Sequence, residues 1–458
     1  MPKKRRLKPS SKRKAVQEVV HPNAAGIDIG AEQSYVSVPA DRDEKPVRSF
    51  GCFTEDLHAL ARWLQASGID TVAMESTGVY WVPLFQILES YGFEVYLVNA
   101  RHVKNVPGRK TDVLDCQWLQ QLHTFGLLSA SFRPDDEMCV LRSYWRHRDS
   151  QIRYAAAQVQ HMQKALEQMN VQLHKVISDI TGVTGLRILE AIVEGERDRQ
   201  KLAALKDHRI QSSADRIAKA LEGDYRQEHL FVLAQALETY RFYQQQIAAC
   251  DQQIETYLSS LDDRIDVTQT PLPPPKSGRK KSGSNQPAFD LRTHLYRISG
   301  VDFTQVEGLE VLTVQTILSE VGLDASKFPT SKHFTSWMGI CPDNRITGGK
   351  VKSSKTRKVK NRAADAFRIS AQSVANSSGP IGAFYRRMRA RIGPAEANTA
   401  TAHKLARVFY RLWTEPQAYD PALVEHHEQQ HTQRTLNYLR KKARALGFDL
   451  VPQTVAAQ

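Results

Sequence analysis

The stretch TVAMESTGVY, residues 71–80, decides the fold of the first part of the chain. It begins as an apolar run of strand-forming residues, ends that run on a carboxylate, Glu75, and passes directly into a Ser-Thr-Gly turn. A strand that ends on an acid is either a solvated strand terminus or part of a site. The elements on either side decide between these two interpretations.

Residues 21–132 alternate between strand and helix patterns around this run. The predicted elements, in chain order, are the strands AAGIDIG, SYVSVPA and VRSFGCF, the helix TEDLHALARWLQASG, the strand TVAMES, the helix VPLFQILESYG, the strand EVYLVNA and the helix TDVLDCQWLQQLHTFG. Thr54 and Thr111 are candidate caps of the first and last helix, and Gly92 ends the middle one. This βββαβαβα order is that of the ribonuclease-H-like fold.

Changes in composition divide the rest of the chain. We predict a basic, disordered arm at residues 1–20, an α/β domain at 21–132, a helical segment at 133–265, a linker at 266–290, a mainly helical second globular domain at 291–415 and a basic helical tail at 416–458. The second globular domain begins with RISGVDFTQVEGLEVLTVQTILSEVG, which is typical of two short helices joined by a Gly-containing turn, resembling a helix-hairpin-helix.

The helical segment carries apolar residues at heptad spacing. One series runs from Ile152 to Val176 and a second from Leu233 to Ile265, and GVTGLRILEAIVEGE marks a break between them. This spacing predicts two long helices with one apolar stripe each. An intramolecular helical hairpin and a dimerising coiled coil both fit the pattern.

The overall charge indicates the kind of partner. The chain of 458 residues carries a net charge of +14, and basic surfaces of this kind neutralise polyanions such as DNA or RNA. No run approaches the roughly 18 to 20 apolar residues that a membrane helix needs, and we expect no membrane partner. Five scattered cysteines without a CxxC pair favour a reducing, cytoplasmic compartment over a zinc site or a disulfide framework.

Four acids fall at related places in the predicted α/β domain. Asp28 lies in the first strand and Glu75 ends the fourth, while Asp112 and Asp115 share one face at the start of the last helix. In a ribonuclease-H-like sheet the first and fourth strands are neighbours and the last helix packs across their ends, so we expect Asp28, Glu75 and at least one of the helix pair to converge. Clustered carboxylates suit Mg²⁺, and two such ions can clamp a phosphoryl transfer. Each acid taken alone could equally be a helix cap or a solvated terminus.

The segments GIDIG, MESTGVYW and K-T-D-x-x-D, in this order, resemble the DEDD transposases of the IS-one-ten family of insertion sequences. The resemblance extends from about residue 22 to 415 and includes FTSWMGICPDNRITGGK, where the family carries a G-L-x-P-x-x-x-x-S-G pattern. It implies a RuvC-like catalytic domain, a coiled coil and a C-terminal transposase domain. The family's four catalytic, metal-binding acids match Asp28, Glu75, Asp112 and Asp115.

The resemblance also implies a hydroxyl nucleophile in the C-terminal domain. The family uses a serine that attacks a DNA phosphodiester and forms a covalent link, and Thr347 stands at the matching place. Threonine offers the same hydroxyl, although its β-methyl group crowds the attack and restricts χ1. We prefer Thr347 as the nucleophile, with Ser353 or Ser354 as the alternative.

A basic run without a single acid follows this position. Its cations, which would hold the phosphate under attack, are Lys350, Lys352, Lys355, Arg357, Lys358, Lys360 and Arg362. A solvated basic loop that binds any polyanion is the other interpretation. The family further implies a non-coding bridge RNA that pairs with donor and target DNA, and we expect a homodimer or tetramer.

The leading hypothesis is therefore an RNA-guided DNA transposase or recombinase. The alternative enzyme is a RuvC-like, Mg²⁺-dependent junction endonuclease, in which activated water attacks and no covalent intermediate forms. A nucleic-acid-binding scaffold with an inactive catalytic domain is a third hypothesis, but it requires a missing acid, and all four are present.

Overall fold

The computed structural model describes residues 18–76, 78–99, 112–276 and 285–451, and only the backbone of residues 423–432. Most of the predicted basic arm, the candidate cap Thr111 and part of the predicted linker lie outside the described residues. The chain divides into two compact units, Met1–Arg133 and Pro134–Gln458. No helix of the described residues is long and apolar enough to cross a membrane.

The first unit is a mixed α/β domain with a five-stranded sheet. Its elements are β1 (Ala24–Ile29), β2 (Gln33–Ser37), β3 (Val47–Gly51), α1 (Thr54–Ala66), β4 (Thr71–Glu75), α2 (Trp81–Ser90), β5 (Glu94–Val98) and α3 (Asp112–Thr124). The strand order is β3-β2-β1-β4-β5. β1, β2 and β3 are antiparallel neighbours, whereas β1–β4 and β4–β5 are parallel. The predicted succession of elements is confirmed, and so is the adjacency of the first and fourth strands.

Alternation along the two central strands separates an apolar face from a polar one. Ile27 in β1 and Met74 in β4 are register partners, and both belong to the buried core that includes residues of α1 and α2. Successive side chains of a strand point to opposite faces. The next residues, Asp28 and Glu75, therefore lie on the other face of the sheet, at the same level on neighbouring strands.

The helix ends differ in one detail from the sequence prediction. α1 begins at Thr54, so the residue before it, Phe53, holds the cap position, and the Asp56 carboxylate accepts a hydrogen bond from its backbone N–H at 3.2 Å. Thr54 is therefore the first helical residue and not the cap. Gly92 follows α2 with a φ of +86°, a left-handed conformation that favours glycine. The prediction that Gly92 ends this helix is therefore confirmed.

The second unit begins with two long helices that pack against each other within one chain. They are α4 (Asp136–Gln168) and α8 (Gln227–Ser260). The Tyr257 hydroxyl donates to the carbonyl oxygen of Glu137 at 2.9 Å, and a buried ion pair joins Arg148 to Asp251, so the helices run antiparallel. The chain thus shows the intramolecular hairpin, whereas a dimerising coiled coil remains a prediction.

The heptad series overestimate the lengths of both helices. α4 ends at Gln168, and Asn170 then adopts a φ of 57°, which breaks the helix before Val176. The apolar spacing continues past this turn because Leu173 and Val176 pack into a core that also contains residues from the end of α4 and the start of α8. Three short helices between α4 and α8 contribute to that core: α5 (Val183–Val193), α6 (Arg199–Ala204) and α7 (Ala214–Ala220). The segment between the two long helices, predicted only as a break, therefore folds as a group of three short helices.

The rest of the second unit is mainly helical, as predicted. Its elements are α9 (Leu291–Ser299), α10 (Val311–Val321), α11 (Ser331–Trp337), β6 (Arg345–Thr347), β7 (Lys350–Ser353), α12 (Arg362–Ser373), α13 (Pro380–Ile392), α14 (Pro394–Thr414) and α15 (Ala422–Ala445). α9 and α10 are the two expected short helices, and Gly300 ends the first in the left-handed region. The buried rings of Phe303, Phe334 and Phe409 stack in its core.

Candidate active site

The helix α3 lies directly on strand β1 at Gly26. A Cβ atom on Gly26 would come 2.2 Å from the backbone nitrogen of Gln120 and 2.3 Å from the carbonyl oxygen of Cys116. Only a residue without a side chain allows this approach of helix backbone to strand. Gly26 therefore fixes the distance between α3 and the polar face of the sheet.

A second contact fixes the direction of α3. His123, near its last residue, lies with Nε2 2.8 Å from the hydroxyl of Thr71, the first residue of β4. α3 consequently runs antiparallel to β1 and β4, and its first turn lies at the carboxyl ends of these strands. Asp28 is two residues beyond Gly26, about 6.6 Å along the strand, which corresponds to about four helix residues. That places Asp28 at the level of the turn between Asp112 and Asp115.

The three acids nearest this edge share a half-buried environment. Asp28, Glu75 and Asp115 are half-buried, whereas Asp112 is exposed. Burial raises the pKa of the Cys116 thiol to about 12, and the negative charge of Asp28 adds to this shift. Asp28 therefore acts electrostatically on the sheet-facing side of α3. The fold brings the acids of three elements to one edge.

The acids are not, however, gathered as a ready ligand group. Among the described residues, which include all four acids, no three His, Cys, Asp or Glu side chains are placed to hold one metal ion. The donor chemistry nevertheless fits Mg²⁺, because half-buried carboxylates at one edge repel one another unless a cation neutralises them, and hard oxygen ligands suit this ion.

Thr347 lies at the tip of an exposed hairpin in the second unit. It ends β6 and pairs with Lys350 of β7, with a loop of two residues between them. Those residues, Gly348 and Gly349, have φ values of +57° and +74°, as a type I′ turn requires. Ser353 ends β7 and is half-buried, and Ser354 follows it in an exposed position. The hydroxyl preferred from the sequence is thus exposed on a defined turn.

The basic run divides into two groups. The lysines Lys350, Lys352, Lys355, Lys358 and Lys360 are exposed. The two arginines have partners inside the unit: Arg357 donates to the backbone and side-chain oxygens of Ser336, and Arg362 pairs with Asp149 at 3.0 Å. The predicted phosphate-binding role fits the lysines better than these two arginines.

The sequence prediction missed the residues that orient α3. Gly26 carried a readable signal, since a glycine inside a strand pattern indicates a bulge or a close backbone approach. The pairing of Thr71 with His123 had no such signal, because the two residues are far apart in the chain and become neighbours only through the fold.

A sheet of ribonuclease-H-like order with acids towards one edge, followed by a mainly helical unit, agrees with the class of DEDD transposases. A family model of the IS110 DEDD transposase domain, described as "Transposase", matches residues 25–171. A second, described as "Transposase IS116/IS110/IS902 family", matches residues 302–386. Together these matches support an IS110-family transposase, the family that the sequence resembles. No curated protein matched the chain.

Proposed function

We propose that this chain cleaves and exchanges DNA strands with metal-bound carboxylates and a hydroxyl nucleophile, guided by a non-coding bridge RNA. The observation that carries the proposal is the placement of Asp28 and Glu75 at one level on neighbouring strands, with the first turn of α3 packed over that edge. The matches to transposase families support DNA as the substrate.

The four acids would hold Mg²⁺ in this scheme. Asp28 and Glu75 would provide oxygen ligands from the sheet, and Asp112 and Asp115 would provide them from α3. The ions, two in the expected arrangement, supply charge neutralisation at the attacking and leaving oxygens. Gly26 contributes by keeping the helix acids at the level of the strand acids.

Thr347 would act on the phosphodiester. Its Oγ1 forms a bond to phosphorus while the bond from phosphorus to one sugar oxygen breaks. The hydroxyl proton leaves to a base, and the departing sugar oxygen takes up a proton. Lys350 pairs with Thr347 across the hairpin, and its ammonium group would neutralise a non-bridging phosphate oxygen. Ser353 or Ser354 is the alternative nucleophile.

Sequence choice would come from base pairing with the bridge RNA, while the exposed lysines after Thr347 contact phosphates without reading bases. We also propose a cytoplasmic, bacterial location, and a homodimer or tetramer as the active species.

Strand exchange by acid variants tests the metal-bound carboxylates. Asp28→Asn and Glu75→Gln keep the shape of each side chain but remove its charge, and we expect each to reduce Mg²⁺-dependent strand exchange at least about 100-fold. Glu55→Gln, an exposed acid in α1, is the matched control. Full activity of Asp28→Asn and Glu75→Gln, with DNA binding retained, contradicts the assignment.

The alternative is a RuvC-like junction endonuclease in which water attacks. Both mechanisms need the acids, so a loss of activity in the acid variants does not distinguish between them. A covalent protein–DNA adduct that survives denaturation separates them, because only the hydroxyl mechanism forms one.

A further inference from the structure

The β6–β7 hairpin has two chemically different faces. Cross-strand partners share a face, so Thr347 and Lys350 lie on one side and Ile346 and Val351 on the other. Ile346 is 60% exposed and Val351 is 58% exposed. Two adjacent aliphatic side chains thus project from the same ribbon that carries the proposed nucleophile.

This apolar pair contributes little to the fold of the unit. An isolated two-stranded hairpin is marginally stable in water, and such a ribbon normally gains by packing its apolar face on a core. Here that face remains open to solvent. Arg345 and Lys350 alternate with this pair along the same two strands and lie on the Thr347 face, and Lys352 follows Val351; all three cations are exposed.

An aliphatic pair on one face of a ribbon whose other face carries cations matches one kind of partner, a polyanion with an apolar interior. Nucleic acids have this chemistry, with charged phosphates outside and flat bases inside. Aliphatic side chains that enter between base steps unstack them and bend the strand. A two-stranded ribbon is also narrow enough to enter a groove.

We propose that Ile346 and Val351 form a wedge that inserts between bases of the DNA strand beside the phosphate that Thr347 attacks. This inference rests on the proposed function and adds a binding element to it. The occupant is DNA because Ile346 is the chain neighbour of Thr347, about 3.3 Å along the strand, so the two faces of one narrow ribbon meet the nucleic-acid segment on which Thr347 is proposed to act. Unstacking one base step opens the backbone at the adjacent phosphodiester to the hydroxyl.

Fluorescence of 2-aminopurine tests the wedge, because this base brightens when it unstacks. The probes are nicked DNA duplexes with one 2-aminopurine beside the nick, and the same sequences as RNA. The full-length wild-type chain is expected to raise the fluorescence of the DNA probes. The double variant Ile346→Thr with Val351→Thr keeps two β-branched residues, and so the hairpin, but we expect it to lose this increase.

The matched control is Ile369→Thr, which changes another exposed isoleucine of the same unit, 65% exposed in α12. It should retain the full fluorescence increase. An undiminished increase in the double variant overturns the proposal, as does a response confined to the RNA probes. A change of oligomeric state in the double variant with unchanged fluorescence also overturns it, in favour of contact between copies of the chain.

The same reactions separate this inference from the proposed function. Denatured aliquots report whether a covalent protein–DNA adduct forms, and the intact aliquots report base unstacking. A fluorescence increase that depends on Ile346 and Val351, without any adduct, supports the wedge and contradicts the nucleophile. An adduct without any fluorescence increase supports the nucleophile and contradicts the wedge.

Discussion

Gly26 and Cys116 are in backbone contact across the interface between β1 and α3. The carbonyl oxygen of Cys116 lies 2.3 Å from the place that a Cβ on Gly26 would occupy. This contact sets the height of α3 above the sheet and therefore the position of Asp115 relative to Asp28.

Gly26→Ala is predicted to displace α3 and to cost about 3 kcal/mol of unfolding free energy, because backbone atoms of α3 cannot move independently of the helix. Strand exchange should fall even though Gly26 has no chemistry of its own. Gly182→Ala is the control, since its Cβ would meet its nearest neighbour at an ordinary 3.4 Å. Denaturant unfolding of both variants measures the difference, and equal stability contradicts the close contact.

The buried ion pair of the helical hairpin gives a second prediction. The side chains of Arg148 and Asp251 are 2% and 9% exposed, and Arg148 also donates to the carbonyl oxygen of Asn285 at 3.0 Å. Asp251→Asn leaves the guanidinium without its counter-charge and should destabilise the second unit by about 3–5 kcal/mol. Arg153→Gln, which removes an exposed ion pair in the same helix, should change stability by less than about 1 kcal/mol. Similar losses of stability in Asp251→Asn and Arg153→Gln contradict this distinction between a buried and an exposed ion pair.

His123 has a defined protonation state in the first unit. The Thr71 hydroxyl donates to the carbonyl oxygen of Glu94 at 3.0 Å, so His123 Nε2 must donate to Thr71. Its Nδ1 is buried without a hydrogen-bond partner, and protonating it would bury an unpaired N–H. Burial lowers the pKa of His123 from 6.5 to about 4, and the charge of His21 adds to this shift.

This depressed pKa predicts a pH dependence of stability. The unfolded chain takes up a proton at His123 near pH 6.5 and the folded chain only near pH 4. The contribution of neutral His123 is therefore complete above pH 6.5 and is lost as the pH falls towards 4, by about 3 kcal/mol. His123→Gln should remove this part of the slope. Thermal unfolding of wild type and His123→Gln between pH 7 and pH 4 measures the difference. Parallel profiles of stability against pH in the two proteins would contradict the prediction.

The two groups in the basic run should respond differently to substitution. Lys352→Gln is expected to weaken DNA binding and to reduce the slope of log affinity against log salt by about 1, without changing stability. Arg357→Gln removes the bonds to Ser336 and should lower the melting temperature. Binding titrations at several salt concentrations, paired with melting curves, test this. If Arg357→Gln reduces the salt slope of DNA binding as much as Lys352→Gln does and leaves the melting temperature unchanged, the division into two groups is contradicted.

Sequence patterns predicted the sheet well, because AAGIDIG and TVAMES are short runs of small and apolar residues, typical of central strands that are buried on both faces. They overestimated α4, because heptad spacing does not register the left-handed Asn170 that ends the helix. The strands of the β6–β7 hairpin were missed because they are short, exposed and rich in lysine. The order of the elements predicted that β1, β4 and α3 meet at one edge of the sheet, but whether their four acids form a ligand group depends on side-chain positions that no spacing specifies, and it stays a prediction.

Mapping a covalent adduct tests the central claim most directly. The wild-type chain is incubated with nicked and branched DNA and Mg²⁺, denatured, digested with nuclease and protease, and the nucleotide-bearing peptide is identified by mass spectrometry. We predict a nucleotide on Thr347, no adduct in Thr347→Ala, and undiminished adduct in Ser353→Ala and Ser354→Ala. DNA cleavage without any adduct in the wild type would contradict the hydroxyl mechanism and favour attack by water.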